Sequence, residues 1–485
     1  MKKFLAAMAA AVLLHANTTF AADGVALTLD DAISLALENN RLIEQSAEER
    51  EAARWNLSYA RRRSGPTLSW SSSLNRIGGP YYNSNRENHY KYQYTPVADY
   101  FPSYKNENSN ELSLSIPIYT GGQLENQRKG ARYALNSADL TLENSRQTVK
   151  YQAAAAYFQV LQNASLVNVQ QQAVELLQEH LRNVSIQYEV GTVAKADVLA
   201  TSVQLANTQQ SLNTAQGNYQ TAVAQLNNIL GLPVDTEIAA SSEINFVRFS
   251  WTEAECLEYA LAHRPDGIAA SYAVKQAQAQ TAAAKGGYQP SVRAVISGNE
   301  IGEGVFKSDH REQQWAAGFS LNWNIFDNGV TAAQVEESKA AERLAESRAL
   351  QQLETIQLEI RTAYVNLKTA EKNIATTADA VAKAEEEFAI AQIRYVEGVD
   401  TNLNVMNAQE KVVETRNNYY AALYSFNTSR AQLEKAMGVP VLIDARIYAD
   451  AEQRGSSSNK ALEVAAVENI YRTGATNSQP VPFDN

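Results

Sequence analysis

The chain has 485 residues, of which 42 are basic and 53 are acidic, and its net charge is −11. This acidic balance offers no positively charged surface to nucleic acid, so we expect no nucleic-acid partner. The single cysteine, Cys256, excludes a disulfide framework and a metal site built from several cysteines.

Residues 1–22 have the pattern of a secretory signal peptide. Lys2 and Lys3 precede an apolar run over residues 4–14, and Ala21 and Ala22 supply the small residues of a cleavage site. Beyond this segment no run approaches the ~20 apolar residues of a spanning helix. A mature chain that crosses a membrane would therefore have to do so as strands of a closed barrel.

The mature chain contains an internal duplication. Tyr188 and Tyr395 are separated by 207 positions, and the same spacing recurs in both halves. The other pairs are Ile118/Ile325, Gly122/Gly329, Gly191/Gly398, Gly231/Gly438 and Pro233/Pro440. A constant spacing over this distance indicates two equivalent repeats. We place them at residues 23–240 and 241–440, followed by a polar tail over 441–485 that we expect to be peripheral or partly disordered.

In each repeat a helical pattern gives way to alternating apolar and polar residues. Helical spacing over residues 29–63 ends at Gly65 and Pro66. The alternation then predicts strands over about 67–75 and 110–119, and over about 291–298 and 314–326 in the second repeat. Their length and Trp70, Trp315 and Trp323 suit membrane-spanning strands. A sheet packed on a soluble core has the same alternation. The segments between the paired strands are loop-like, and the first, residues 76–110, is rich in tyrosine.

Long helices follow the strands. Residues 330–397 contain neither Gly nor Pro, which predicts a helix of roughly 100 Å. Apolar residues recur there in alternating steps of four and three, among them Ile356, Ile360, Ala363 and Leu367, which is typical of a coiled coil. We predict long helices over about 121–189 and 329–396, and return helices over about 193–230 and 400–437. The result is two antiparallel hairpins, whose tips are residues 188–191 and 395–398.

No motif indicates catalysis. The five histidines are scattered, and no H-E-x-x-H, G-x-x-x-x-G-K-[ST] or G-x-S-x-G sequence occurs. Residues 263–266 superficially resemble a catalytic loop, but the duplication aligns them with residues 39–42, where a short helix gives way to the next. We therefore predict that the chain is not an enzyme and has no metal site and no cofactor.

These features together resemble the TolC-like outer-membrane efflux proteins. The resemblance rests on the signal peptide, the duplicated order of helix, two strands and helix, and the Tyr-x-x-Gly tips. It also rests on the strand-to-helix joints at residues 118–122 and 325–329 and on the Gly-x-Pro ends at 231–233 and 438–440. The similarity extends over nearly all of the mature chain to about Pro440.

The resemblance implies a mixed α and β fold. Three copies of the chain would each give four antiparallel strands to one transmembrane β-barrel, continued by a long periplasmic α-helical barrel of coiled-coil hairpins. The implied function is an exit duct in the outer membrane of a Gram-negative bacterium, for multidrug efflux or type I protein secretion. Its partners would be outer-membrane lipid, a periplasmic adaptor protein and an inner-membrane transporter. The alternative is a scaffold or adhesin that forms no pore and uses the coiled coils for contact.

The resemblance also implies functional residues. Asp197 would hydrogen-bond Tyr395 in a gate that closes the periplasmic entrance, and the tips at Gly191 and Gly398 would face the adaptor. The alternative for Asp197 is an acid that stabilises a helix N-terminus. The alternative for Tyr395 is a packing residue in the coiled-coil seam.

Three pore positions depart from the family pattern. Two positions that are acidic in the best-known relatives are Asn404 and Asn407 here, and a basic gate position is Asp400. A cation-attracting ring built as in those relatives is therefore not expected. Asp400 or Glu397, repeated threefold in a trimer, would restore one.

Overall fold

The computed structural model describes residues 25–76, 106–240, 246, 248–303 and 312–453. The predicted signal peptide, nearly all of the tyrosine-rich loop and residues 454–485 of the tail lie outside the described residues.

The repeated order of elements that the sequence predicts is present in both halves. The helices are α1 (Leu29–Asn39), α2 (Arg41–Arg62), α3 (Gln123–Glu189), α4 (Lys195–Leu230), α5 (Glu253–His263), α6 (Pro265–Lys285), α7 (Val330–Val396), α8 (Asn402–Met437) and α9 (Arg446–Gln453). The strands are β1 (Val25–Leu27), β2 (Thr67–Arg76), β3 (Asn106–Tyr119), β4 (Ile238–Ala240), β5 (Ser291–Glu303) and β6 (Glu312–Asn322).

Each repeat starts with the same helix cap. Thr28 caps α1 and Thr252 caps α5, and in each case the acid three residues later, Asp31 or Glu255, accepts a hydrogen bond from the cap residue's backbone N–H. This reciprocal arrangement satisfies donors that a helix N-terminus otherwise leaves unpaired. Two short sequence signals thus set where the first helix of each repeat begins.

The first helical segment of each repeat is broken, as the aligned residues 39–42 and 263–266 indicate. Asn40 takes an extended conformation, with φ −71° and ψ 129°. Its amide donates to the carbonyl of Ile229 at 2.9 Å and accepts from the N–H of Leu42 at 2.9 Å. In the second repeat Arg264 is extended before Pro265. The proline ring clashes with the residue before it when that residue is helical.

Strands β2, β3, β5 and β6 form one antiparallel sheet in that order. β3 is longer at its start than the alternation predicts and β5 is longer at its end. β6 ends at Asn322, where its pairing with Ser291 ends, rather than near residue 326. Trp323 leaves the strand and donates its indole N–H to the carbonyl of Tyr288 at 3.1 Å.

A second, two-stranded sheet was not predicted from the sequence. β1 and β4 pair in parallel, with Val25 opposite Ile238. Strands of three residues are too short to show alternation. Their pairing joins the start of the first repeat to its end, and Tyr157 supports it by donating its hydroxyl to the carbonyl of Leu27 at 2.9 Å.

The chain divides into two compact units. Of the described residues, those within 25–49, 139–269 and 350–453 belong to one unit, and those within 50–138 and 270–349 belong to the other. The second unit contains the four-stranded sheet. Among the described residues, no helix combines the length and the hydrophobicity that crossing a membrane requires.

The coiled-coil seam forms the core of the first unit. In α7 the predicted seam residues Ile356, Ile360 and Leu367 are at most 1% exposed, and they pack with Phe426 and Leu433 of α8. In α3 the seam residues include Val149, Ala153 and Val160, which pack with Leu226 and Leu230 of α4. Burial of these side chains in regular steps holds each long helix against its return helix.

The start of the predicted tail is anchored rather than peripheral. The carboxylate of Glu143 in α3 is fully buried and accepts hydrogen bonds from the backbone N–H groups of Val441, Leu442 and Ile443 at 2.7, 3.2 and 3.2 Å. Arg146, one helical turn later, pairs with the same carboxylate at 3.4 Å. Residues 446–453 then form α9. The composition of the tail did not reveal this attachment, because its partner is on another helix.

Candidate gate at the hairpin tips

Both tips end their long helix in the same way. Gly191 and Gly398 have φ of 80° and 71°, and each donates its N–H to the carbonyl of the tyrosine three residues earlier, at 3.0 Å. Glycine reaches this left-handed conformation without steric cost. A side chain at either position would meet nothing within 4 Å. The glycines are therefore at the surface of this chain.

Tyr395 connects the second hairpin to the first. Its hydroxyl donates to Oε1 of Gln187 in α3 at 2.8 Å. Burial, together with the negative charge of Asp197, raises the pKa of Tyr395. The phenol therefore stays protonated at neutral pH and remains a donor.

Asp197 does not form the hydrogen bond with Tyr395 that the resemblance implies. Its carboxylate lies at the N-terminus of α4 and accepts from the backbone N–H of Ala194 at 3.3 Å. In this structure the carboxylate accepts from the N-cap backbone of its own helix, as Asp31 and Glu255 do at the starts of α1 and α5. Asp197 still contributes to the contact between the hairpins through its backbone carbonyl, which accepts from the amide of Asn402.

A buried polar cluster lies beside Tyr395. Asn402, which is 4% exposed, donates its amide to Oγ1 of Thr201 at 3.0 Å and to the carbonyl of Asp197 at 3.3 Å. Its Oδ1 lies 2.6 Å from Nε2 of His180. Since that oxygen is the acceptor, the histidine nitrogen carries the hydrogen. The imidazole of His180 also packs edge-on against the ring of Tyr395, with 5.5 Å between centroids.

The sequence did not identify His180, Gln187, Thr201 or Asn402 as members of a site. The sequence offers one signal, because Asn402 follows Thr401, which caps α8. That signal indicates a helix cap rather than a site, since capping commonly explains polar residues near a helix start. Their partners are about two hundred positions away in the chain, so the cluster is visible only in the tertiary structure.

The other predicted pore residues, Asp400, Asn404 and Asn407, line one open groove between α7 and α8. Asp400 accepts from the amide of Asn404 and from the backbone N–H of Thr401, and these bonds lower the pKa of Asp400. Its carboxylate is therefore ionised at neutral pH, and Nε of Arg394 lies 3.7 Å from it. The groove combines both signs of charge. Within the described ranges, no group of three His, Cys, Asp or Glu residues could hold a metal ion.

Comparison with known proteins agrees with the division of the chain into two repeats. The family model described as "Outer membrane efflux protein" matches residues 32–232 and 256–439. These stretches correspond to the two repeats.

The chain is similar in sequence to the outer membrane efflux protein BepC of Brucella suis biovar 1, with 25% identity over 412 residues, or 84% of each chain. It is 24% identical over 336 residues to the toluene efflux pump outer membrane protein TtgF of Pseudomonas putida, covering 67% of this chain and 68% of that one. In fold it is similar to the CmeC outer membrane channel of Campylobacter jejuni. That match has a TM-score of 0.74 at 19% identity and covers 88% of this chain and 89% of that one.

Proposed function

The chain belongs to the outer membrane efflux protein family, and from that premise we propose that it is an exit duct of the outer membrane. Substrates would pass through it from an inner-membrane pump, across the periplasm, to the outside. The observation that carries the proposal is the match of the family model to both repeats, together with the similarity to BepC over 84% of each chain. Because BepC is named as an efflux protein and TtgF as part of a toluene efflux pump, efflux of small molecules is the first expectation for the cargo. Type I protein secretion is the second.

We propose that three copies of the chain close one barrel. The sheet has two edges, β2 and β6, which pair with no other strand in the described part of the chain. Large apolar residues of these edge strands are exposed in the single chain, among them Trp70 at 70%, Trp315 at 78% and Phe319 at 79%. Lipid accepts such side chains but does not satisfy unpaired backbone groups, so the edges must pair between copies.

The contacts between the two hairpins support a gate at the tips. Tyr395 bonds Gln187, and Asn402 bonds both His180 and Thr201, so that α7 and α8 are held to α3 and α4. Opening an entrance at this end requires these hairpins to separate, and the bonds oppose it. We propose that this cluster holds the entrance closed, and that the exposed tips at Gly191 and Gly398 contact the adaptor protein.

The three predicted pore positions, Asp400, Asn404 and Asn407, carry little net charge in this proposal. Asn404 and Asn407 are neutral, and Asp400 lies near Arg394. Threefold repetition of Asp400 would bring three carboxylates to the entrance, each partly compensated by its arginine. We therefore expect weak cation selectivity. The reversal potential under a salt gradient measures it.

Single-channel recording in planar bilayers tests the duct and the gate together. Purified chain should insert and conduct, and Tyr395→Phe, which removes the hydrogen bond to Gln187, should conduct more than the native protein. Tyr188→Phe, the equivalent tyrosine of the first tip, is the matched control and should leave conductance unchanged. Unchanged conductance in Tyr395→Phe would remove this hydrogen bond from the gate. Protein that stays soluble without detergent and forms no pore would favour the scaffold instead.

The cargo is tested separately in a strain that lacks the gene. Loss of the duct should raise susceptibility to small toxic compounds if efflux is the function. It should reduce the amount of a secreted protein in the medium if type I secretion is the function.

A further inference from the structure

A cavity of about 260 Å³ lies among α1, α3 and α8, near the C-terminal end of α8 and far along that helix from Asn402. Ile33 and Phe158 belong to its apolar lining, and Gln147, Lys150 and Lys435 belong to its polar lining. The exit-duct function makes no use of this cavity. Its combination of apolar surface with a few convergent polar groups is typical of sites for small molecules.

The cavity has an excess of positive charge. Lys150, Arg430 and Lys435 line it together with one carboxylate, Glu434. Nε of Arg430 lies 3.4 Å from Oε1 of Glu434, so this carboxylate is already paired. Within the described ranges, neither Lys150 nor Lys435 pairs with a carboxylate. Nζ of Lys435 lies 5.8 Å from the ring centroid of Tyr151. Partly buried ammonium groups with no counter-ion favour binding of an anion.

An unpaired donor lies in the same wall. The side chain of Gln147 is 3% exposed, and in the described structure its Nε2 has no hydrogen-bond partner. Buried polar groups are almost always hydrogen-bonded, because an unsatisfied one is costly. Rotation of the amide toward the cavity would let it donate to an oxygen bound there. Gln147 is one helical turn from Lys150, so the two would reach the same oxygen atoms.

We propose that this cavity binds a small amphipathic organic anion, with its carboxylate between Lys150, Lys435 and Gln147 and its apolar part against Ile33 and Phe158. The volume lies below the ~300–1,000 Å³ of sites for drug-sized ligands. The ligand is therefore a compound with a single ring or a short chain. Because α3 belongs to the first repeat and α8 to the second, the bound anion bridges the two repeats and stabilises the folded protein.

Isothermal titration of the purified full-length mature protein, in a nonionic detergent, tests the proposal. The probes are sodium benzoate, benzyl alcohol and sodium acetate. Benzoate should bind saturably. Benzyl alcohol, which keeps the ring without the charge, and acetate, which keeps the charge without the ring, should each bind at least about tenfold more weakly. Equal binding of benzoate and benzyl alcohol, or no saturable benzoate binding, would overturn the proposal.

Variants connect the binding to the cavity. Lys435→Gln and Gln147→Met keep the size of the side chain and should each weaken benzoate binding by about tenfold or more. Lys383→Gln changes an exposed lysine on α7 outside the cavity and should leave binding unchanged. Thermal unfolding without benzoate shows whether each variant is folded. A folded Gln147→Met and a folded Lys435→Gln that bind benzoate like the native protein would also overturn the proposal.

Discussion

The side chains of Asn402 and His180 form a 2.6 Å hydrogen bond between residues that are 222 positions apart. Asn402 also donates to Thr201, which is fully buried. Asn402→Ala should destabilise the folded protein by roughly 1–3 kcal/mol, because it leaves buried polar groups without partners. Thermal unfolding of the purified protein measures this change. Asn407→Ala, at an exposed position on the same helix, is the control and should shift the midpoint little.

Tyr395 and Gln187 should act as a pair. Tyr395→Phe and Gln187→Leu each remove one partner of the same hydrogen bond, so their effects on channel opening should not add. Each single variant should raise the open probability, and the double variant should raise it little further. Bilayer recording of the four proteins measures the coupling, for which roughly 0.5–1.5 kcal/mol is expected of a neutral hydrogen bond. Strictly additive effects would show that the two side chains act independently.

Glu143→Gln should release the segment after Gly438. The carboxylate accepts from three backbone N–H groups, whereas an amide has one acceptor oxygen and turns donors toward the other N–H groups. We expect faster cleavage by trypsin after Arg446 and a stability loss of roughly 1–3 kcal/mol. Glu179→Gln, at an exposed position on the same helix, is the control. An unchanged cleavage rate in Glu143→Gln would show that the segment is held by other contacts.

Substitutions at Gly231 and Gly398 allow the stability cost of backbone strain to be measured separately from the cost of a packing clash. Both have φ of 71°, but an added Cβ at Gly231 would lie 2.9 Å from Cβ of Asn39, whereas Gly398 has nothing within 4 Å. Gly398→Ala should cost roughly 1–2 kcal/mol for the left-handed backbone alone. Gly231→Ala should cost roughly 1–3 kcal/mol more, because the clash is added. Denaturant unfolding of the two variants under identical conditions gives the difference. Equal losses would mean that Asn39 moves aside freely.

Cys256 should be unreactive in the folded protein. It is fully buried, and burial raises the pKa of its thiol from 9.0 to about 11. Because the thiolate is the reactive form, only a very small fraction of the thiol is reactive at pH 8. Alkylation by iodoacetamide should be slow in the native protein, rise with pH up to about 11, and become fast in guanidinium. Rapid labelling at pH 8 without denaturant would contradict the burial.

The sequence by itself determined the repeats, the heptad seam, the two hairpins and the four strands, because each follows from a local period of apolar residues or from a glycine or proline at a fixed place. Ile360 and Leu367 show this directly: their spacing predicted the seam, and both are fully buried. The break at Asn40 was visible through its alignment with the residues before Pro265.

Only the tertiary structure decided which polar side chains meet. Tyr395 was singled out from the sequence, but its partner is Gln187 rather than Asp197, and Glu143 gave no sign that it holds residues 441–443. The physical reason is that a hydrogen bond requires two atoms to lie within about 3.5 Å of each other. In this chain that distance is set by how α3, α4, α7 and α8 pack. A periodic apolar pattern specifies that helices pack, but it does not specify which polar residues along them face each other.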